Sequence, residues 1–286
     1  MRHEFLVRRL WTFVLTLALL GEAGCLHENR EPLAAIVDEA FDGITRTGIS
    51  INPRPGVSVD MVLLTPRQPV VALLLLPGGP GLAEISGINI GNRRDFVTVT
   101  AEAFAARGIA VAVVDAASDH ADGLSPNYRQ TAAHLNEIDA VITRVKQATG
   151  LPVWMLGISR STLSVAHIAV NTDVGIDGIV LLSSVTNIPP EAQTINVVDV
   201  GLDRVGVPAL VVAHENDGCQ GTPPGGADQI VARLINSPNA VAELFSGGFT
   251  EGGNPCTPGS HHTFNGIQNQ VVAAIAGFIQ ANIHTD

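Results

Sequence analysis

Short segments made almost entirely of apolar residues recur along this sequence, and they constrain the fold more than any other feature. They show no alternation of polar and apolar positions: Val70–Leu76, Ile109–Val114, Val153–Leu156, Ile179–Leu182 and Ala209–Ala213. A strand with one face in water would alternate, whereas a strand of a parallel sheet is covered on both faces. These segments therefore predict a central, mostly parallel β-sheet.

Segments with helical periodicity lie between the apolar runs: Phe96–Arg107, Thr131–Ala148, Ser161–Val170, Ala227–Leu234 and Val271–Ile283. A further strand, Ala242–Phe245, precedes the last helix. Ile44–Ile51 and Val57–Thr65 indicate two antiparallel strands joined by a turn rich in proline. Alternation of strand and helix is typical of the α/β class, in which a doubly wound sheet carries helices on both faces. Ligands of such sheets bind at the carboxyl ends of the strands.

The first residues have the pattern of a signal peptide, which predicts export. Arginines precede the apolar run Leu10–Leu20, and small residues around Ala23 offer a cleavage site. The run is too short to cross about 30 Å of hydrocarbon as a helix. The predicted organisation is therefore a signal peptide over residues 1–23, a leader segment over 24–43 and a single α/β domain over 44–286.

The three cysteines bear on the cellular compartment. Cys25 stands where a bacterial lipoprotein carries its lipidated cysteine, although Glu22 replaces the apolar residue expected there. Export without a lipid is the main prediction, and lipidation of Cys25, which would anchor the chain to a membrane, is the alternative. Cys219 and Cys256 would meet an oxidising compartment after export, where they could pair.

The composition excludes other classes of protein. The formal net charge is −11 and no basic stripe is present, which argues against a nucleic-acid partner. A hydrophobic share of 46% argues against disorder. Beyond the predicted signal peptide, Trp and Tyr occur only at Trp154, inside a predicted buried strand, and Tyr128. An aromatic platform for binding carbohydrate is therefore not expected.

Ser159 is the candidate nucleophile. It lies between the strand that begins at Val153 and the helix that begins at Ser161, in the sequence Gly-Ile-Ser-Arg-Ser. This is the context of the G-x-S-x-G motif, a strained turn that exposes a serine hydroxyl and needs small neighbours. Gly157 supplies the first small residue, and Ser161 stands in place of the second glycine.

From Val57 to its end the chain resembles the α/β-hydrolases in the order of its elements. It is also similar to a mostly uncharacterised family of exported bacterial hydrolases of the esterase and dienelactone-hydrolase type. That similarity rests on Ser159-Arg160, on the run from Asn216 to Cys219, and on Cys256 followed by His262-Thr263-Phe264. The resemblance implies esterase-like chemistry and a fold with at most a small lid, because only about twenty residues separate Ser183 from Val205.

A serine nucleophile needs a base, which in turn needs an acid to orient it, and in this fold they follow in the order serine, acid, histidine. Asp217 follows the strand that begins at Ala209 and is the predicted acid, with Glu215 in reserve. His262 lies between the last strand and the last helix and is the predicted base, because its His-x-Phe sequence resembles the family pattern. His261 stays open as an alternative base.

Two backbone N–H groups are predicted to form the oxyanion hole. One belongs to Arg160, directly after the nucleophile, and the other to Gly79 in the loop Pro77–Gly81. Asp115 and Asp119, which follow another strand, are interpreted as structural or rim residues.

The loops that carry acid and base should emerge at the same edge of the sheet. Cys219 follows Asp217 by two residues and Cys256 precedes His262 by six, so a Cys219–Cys256 disulfide is predicted to fasten these loops together.

The predicted function is hydrolysis of a small-molecule carboxylic ester through an acyl-enzyme, without a cofactor or metal. Amidase, peptidase or acyltransferase activity on the same residues is one alternative. A metal site built from His214, His261 and His262 is another, although no HExxH-type spacing is present. A catalytically silent exported protein is the third.

Overall fold

The computed structural model describes residues 38–41, 43–189 and 194–283. Nine strands form one sheet in the order β1-β2-β3-β7-β4-β8-β9-β10-β11, and β5 pairs with β6 in a separate hairpin. The strands are β1 Asp38–Phe41, β2 Ile44–Arg54, β3 Val57–Pro66, β4 Val71–Leu76, β5 Ile85–Ser86, β6 Asn89–Ile90, β7 Ile109–Val114, β8 Val153–Ile158, β9 Gly178–Leu182, β10 Ala209–His214 and β11 Ala240–Phe245. The first three of the sheet are antiparallel, and the six from β7 to β11 in the sheet order run parallel.

Among the described residues, five α-helices cover the two faces of the sheet: α1 Phe96–Ala105, α2 Ala132–Thr149, α3 Ser161–Asn171, α4 Gly226–Val231 and α5 Gln268–Ala281. Successive residues of β4 face opposite sides, as the pleat requires. Ala72 and Leu74 belong to the apolar core beneath α2, α3 and α4, and Leu73 and Leu75 to the core beneath α1 and α5. All six residues of this strand are buried, which explains its lack of polar positions.

The predicted doubly wound, mostly parallel sheet with helices on both faces is therefore confirmed, and Trp154 is fully buried within it. Asp38–Phe41, which was assigned to the leader segment from the sequence, forms strand β1 and pairs with β2 at the edge of the sheet. In the described part of the interval from Ser183 to Val205, the structure has two 3₁₀ turns and no α-helix, as a small lid would require.

The predicted signal peptide and Cys25 lie outside the described residues. Within the described ranges, no helix is long and apolar enough to cross a membrane.

Candidate active site

Ser159 occupies the turn between β8, which ends at Ile158, and α3, which begins at Ser161. Its φ is 56°, in the left-handed region that non-glycine residues seldom adopt. Such a conformation costs of order 1–3 kcal/mol and persists only where the surroundings impose it. The Ser159 N–H donates to the carbonyl of Leu182 on the neighbouring strand at 2.9 Å, which helps to hold the turn.

The turn requires small residues at Gly157 and at Ser161 for two different structural reasons. A Cβ at Gly157 would lie 2.7 Å from the carbonyl oxygen of Ser161, so the turn leaves no space for a side chain there. The hydroxyl of Ser161 accepts a hydrogen bond from the Ile158 N–H at 2.7 Å and lies 2.7 Å from the carbonyl of Leu76. Serine in place of the motif's second glycine therefore ties the turn to the end of β4.

His262 and Asp217 meet directly. His262 Nδ1 lies 2.9 Å from Asp217 Oδ2, and both side chains are 1% exposed. Because a carboxylate only accepts, the proton of the neutral imidazole sits on Nδ1 and leaves Nε2 as an acceptor. Nε2 is buried and has no hydrogen-bond partner among the described residues. The pair thus presents an unoccupied basic nitrogen.

Asp217 is held by groups of its own loop. Its Oδ1 accepts from the Cys219 N–H at 2.9 Å, and its Oδ2 accepts from the Thr222 hydroxyl at 3.0 Å. The predicted disulfide between Cys219 and Cys256 is present, with a Cα–Cα distance of 4.7 Å. It joins the loop of Asp217 to the loop that leads to His262.

Ser159 and His262 line one cleft of about 770 Å³, together with Gly79, Arg160 and Thr222. The carbonyl of His262 accepts from the Ser183 hydroxyl at 2.8 Å, which fixes the histidine loop against the end of β9. Asp217 lies behind His262 rather than in the cleft wall. The predicted nucleophile and base therefore share a cleft at the carboxyl ends of the parallel strands, where ligands of this class of sheet bind.

The residues considered as alternatives for the base and the acid, and the further metal-site candidate His214, do not line the cleft. The ring of His261 stacks on that of His214, with centroids 4.5 Å apart, and Glu215 is exposed. His214 Nε2 lies 2.8 Å from the carbonyl of Gly247, and its Nδ1 accepts from the Asn216 N–H at 3.0 Å. Both nitrogens of His214 are thus bound to backbone. Among the described residues, no group of three His, Cys, Asp or Glu side chains is placed to hold a metal ion.

The two predicted oxyanion donors border the cleft. Gly79 has a φ of 51°, and Arg160 occupies the N-terminal cap of α3. Within the described part of the chain, neither N–H has a hydrogen-bond partner. Each is therefore available to a ligand atom.

Asp115 and Asp119 have structural contacts. The carboxylate of Asp115 accepts from the N–H groups of Ala83 and Ile85, both at 2.8 Å, and Asp119 pairs with Arg54 at 2.7 Å.

Three further residues shape the site without a sequence signal that could have identified them. Thr222 lies 3.1 Å from His262 Nδ1 as well as bonding Asp217. Asp95 and Arg129 contact the glycine-rich loop after β4. Thr222 is forty residues from His262 and Arg129 is fifty from Gly79, so only the fold brings these pairs together.

No protein-family profile and no curated protein matches the sequence. Solved structures do match its fold. A highly thermostable carboxyl esterase from Bacillus coagulans has a TM-score of 0.62 at 14% identity, over 84% of this chain and 99% of that chain. Dienelactone hydrolase from Anabaena variabilis has a TM-score of 0.59 at 12% identity, over 85% of this chain and 100% of that chain. A cold-adapted esterase from an Arctic intertidal metagenomic library has a TM-score of 0.58 at 15% identity, over 86% of this chain and 97% of that chain. At such identities the likeness establishes the fold, and it confirms the α/β-hydrolase fold.

Proposed function

We propose that this chain, which has the α/β-hydrolase fold, is an exported serine hydrolase that cleaves carboxylic esters through an acyl-enzyme on Ser159. One observation carries the proposal. His262 is held by Asp217 at Nδ1, its Nε2 has no hydrogen-bond partner among the described residues, and the histidine lines the same cleft as Ser159, which occupies a strained turn. This is the arrangement that a serine nucleophile needs, because the hydroxyl requires a base and the base requires orientation.

Acylation follows from this arrangement. As Ser159 Oγ attacks the ester carbonyl, His262 Nε2 takes the hydroxyl proton, and the negative charge of Asp217 stabilises the imidazolium. The carbonyl oxygen becomes an oxyanion that accepts hydrogen bonds from the N–H groups of Gly79 and Arg160. The intermediate then collapses, the ester C–O bond breaks, and the departing alkoxide takes the proton from His262 Nε2.

Deacylation repeats the sequence with water as the nucleophile. His262 Nε2 takes a proton from water, the resulting hydroxide attacks the acyl carbon, and the same two N–H groups receive the oxyanion. Collapse of this second intermediate breaks the bond to Ser159 Oγ, which recovers its proton from His262. The products are a carboxylic acid and the restored serine.

Export is supported by the apolar amino-terminal run and by the Cys219–Cys256 disulfide, since disulfides persist in oxidising compartments. A cleft of about 770 Å³ beside a short lid interval suits small esters.

The test is a screen of purified protein against nitrophenyl esters of short and long acyl chains, with nitroanilides alongside. We expect ester turnover. Ser159→Ala should abolish it, and Asp217→Asn and His262→Ala should each lower kcat by about 10³-fold or more, because these groups act as a unit.

His261→Ala is the matched control, since it removes the neighbouring imidazole that stacks on His214, away from the cleft. It should keep activity within a few-fold of the parent. Parental activity in Ser159→Ala would refute the proposal. Hydrolysis of the nitroanilides without hydrolysis of the esters would show that the protein is an amidase rather than an esterase.

A further inference from the structure

Arg129 is a buried cation that forms no salt bridge with a described residue. The residue is only 1% exposed. No carboxylate of the described residues is within ion-pair distance of its guanidinium. Burial, with a smaller contribution from the charge of Arg160, lowers the pKa of Arg129 to about 9, although the charge of the nearby Asp95 carboxylate acts to raise it. Enclosing a guanidinium in this way is costly.

The guanidinium of Arg129 contacts the loop that carries a predicted oxyanion donor. Its Nη2 donates to the carbonyl of Gly79 at 3.0 Å, and a Cβ on Gly81 would lie 2.8 Å from the same nitrogen. Two peptides earlier in the same loop, Asp95 Oδ2 accepts from the Gly78 N–H at 2.9 Å. The loop is thus held by a carboxylate at the Pro77–Gly78 peptide and by a cation at the Gly79–Pro80 peptide. The peptide between them carries the Gly79 N–H.

We propose that Arg129 and Asp95 are positioning residues of the oxyanion hole, which hold the Gly79 N–H where the tetrahedral intermediate needs it. The proposal rests on the proposed function, because without an acyl-transfer reaction no oxyanion forms. Both residues act through the loop backbone and neither takes part in bond formation. A donor fixed before the reaction stabilises the transition state without reorganisation, and this preorganisation is what the two contacts supply.

Arg129 is itself fixed by a chain of buried hydrogen bonds. Its Nη1 donates to Ser164 Oγ at 3.1 Å, Ser164 Oγ lies 2.9 Å from His134 Nε2, and His134 Nδ1 lies 3.3 Å from Glu137 Oε2. Burial lowers the pKa of His134, so its imidazole is neutral at neutral pH. Because Glu137 accepts at Nδ1, the Ser164 hydroxyl donates to Nε2, and its lone pair is left for Arg129.

Ser164, His134 and Glu137 have the residue types of a second serine–histidine–acid set, but all three are buried and none lines the cleft. Glu137 also accepts from Arg54 at 2.9 Å and from the Tyr128 hydroxyl at 2.6 Å. Burial acts to raise the pKa of Glu137, but the hydrogen bonds with His134, Tyr128 and Arg54 outweigh it, so the pKa is lowered. The hydrogen-bonded chain therefore runs from the partly buried Arg54 to the loop Pro77–Gly81 and supports that loop.

The test compares Arg129→Met, Arg129→Lys and the matched control Arg233→Met, whose arginine is exposed and forms no ion pair with a described residue. Measured quantities are kcat, KM, the inhibition constant of a trifluoromethyl ketone and the melting temperature. Losing an oxyanion donor costs about 10²–10³-fold, so displacing one should lower kcat in Arg129→Met by about 10- to 100-fold. KM should stay within about 3-fold, since the ester ground state carries no oxyanion.

The trifluoromethyl ketone distinguishes positioning from a merely structural role, because its hemiketal places a real oxyanion on the enzyme. Its affinity should fall in parallel with kcat for Arg129→Met and recover in part for Arg129→Lys, which restores a donor. Arg233→Met should match the parent. Asp95→Asn, which can accept only one of the two N–H bonds, gives a second test and should lower kcat about 10-fold with the same parallel loss.

An Arg129→Met or Asp95→Asn protein that is folded and has parental kcat and ketone affinity would overturn the positioning role, while an inactive Ser159→Ala would leave the proposed function standing. If Arg129→Met does not fold, Arg129→Lys and Asp95→Asn decide the matter by the same two readouts. Absence of ester turnover in the parent would instead refute the proposed function.

Discussion

At the scale of single residues, the space around the Ser159 turn makes a sharp prediction about glycine. Gly157→Ala places a Cβ 2.7 Å from backbone and 2.8 Å from Val165, where nothing can yield cheaply. We expect the free energy of unfolding to fall by about 1–3 kcal/mol or more and turnover to be lost as Ser159 moves. Chemical denaturation and ester hydrolysis measure the two effects.

The matched control is Gly277→Ala on the exposed face of α5, where a Cβ meets nothing within 4 Å. Alanine there should raise stability by about 0.5–1 kcal/mol, since glycine is the poorer helix former, and activity should not change. A stable and active Gly157→Ala protein would contradict the packing described for the turn.

Asp95 gives a prediction about pH. Burial raises its pKa from 3.8 to about 6, although the N–H groups of Val97 and Gly78 and the nearby His262 and Arg129 act to lower it. Between these values the folded protein binds a proton that the unfolded chain has released, so the contribution of Asp95 to stability is present below pH 4 and is lost as pH rises through 6. The melting temperature of the parent should therefore fall relative to that of Asp95→Asn between pH 4 and pH 7. A constant difference over this range would contradict a raised pKa.

At the scale of elements, the disulfide is the contact that joins the acid loop to the base loop. The two cysteines are 37 residues apart in the sequence. Closing a loop of that length lowers the entropy of the unfolded chain and stabilises the folded state by about 4 kcal/mol. The double variant Cys219→Ser, Cys256→Ser should melt at a lower temperature, and kcat should fall because Asp217 loses part of its support. Cys25→Ser, outside the pair, should match the parent in both measurements. An unchanged melting temperature in the double variant would contradict the stabilising role.

Most of the fold was predictable because the buried parallel strands carry a simple pattern. β4 and β7 are buried at every position, so their sequences are apolar throughout. β1 was missed because it is an edge strand of four residues, DEAF, with only two apolar members. α4 ends at Val231 rather than at the predicted Leu234. There the N–H groups of Arg233 and Leu234 bond three residues back, which tightens the last turn into a 3₁₀ geometry that periodicity does not reveal.

The candidate site was predictable where it depends on order along the chain and not where it depends on contacts across the fold. Ser159, Asp217 and His262 follow strands in a fixed sequence, and the structure brings the latter two within 2.9 Å. Arg129 reaches Gly79 from fifty residues away, and Thr222 reaches His262 from forty. A sequence pattern does not predict contacts between residues so far apart along the chain, because many side chains on the same elements could have formed them.

At the scale of the whole molecule, export predicts a processed amino terminus. Expressed in a bacterium with its own leader, the protein should be recovered outside the cytoplasm with Gly24 as its first residue. Lipidation would instead give Cys25 as the first residue with the added mass of a diacylglyceryl group and membrane association. Intact mass spectrometry separates the two, and recovery of the uncleaved chain from the cytoplasm would contradict export.

The central claim is that Ser159 is the single activated serine of this molecule. The most direct measurement is labelling with a fluorophosphonate followed by peptide mapping, with Ser159→Ala and Ser164→Ala in parallel. The account predicts one adduct per molecule, on the peptide containing Ser159. That adduct should be absent from Ser159→Ala and retained by Ser164→Ala, whose hydroxyl is buried away from the cleft. An unlabelled parent, or a label that survives Ser159→Ala, would contradict it.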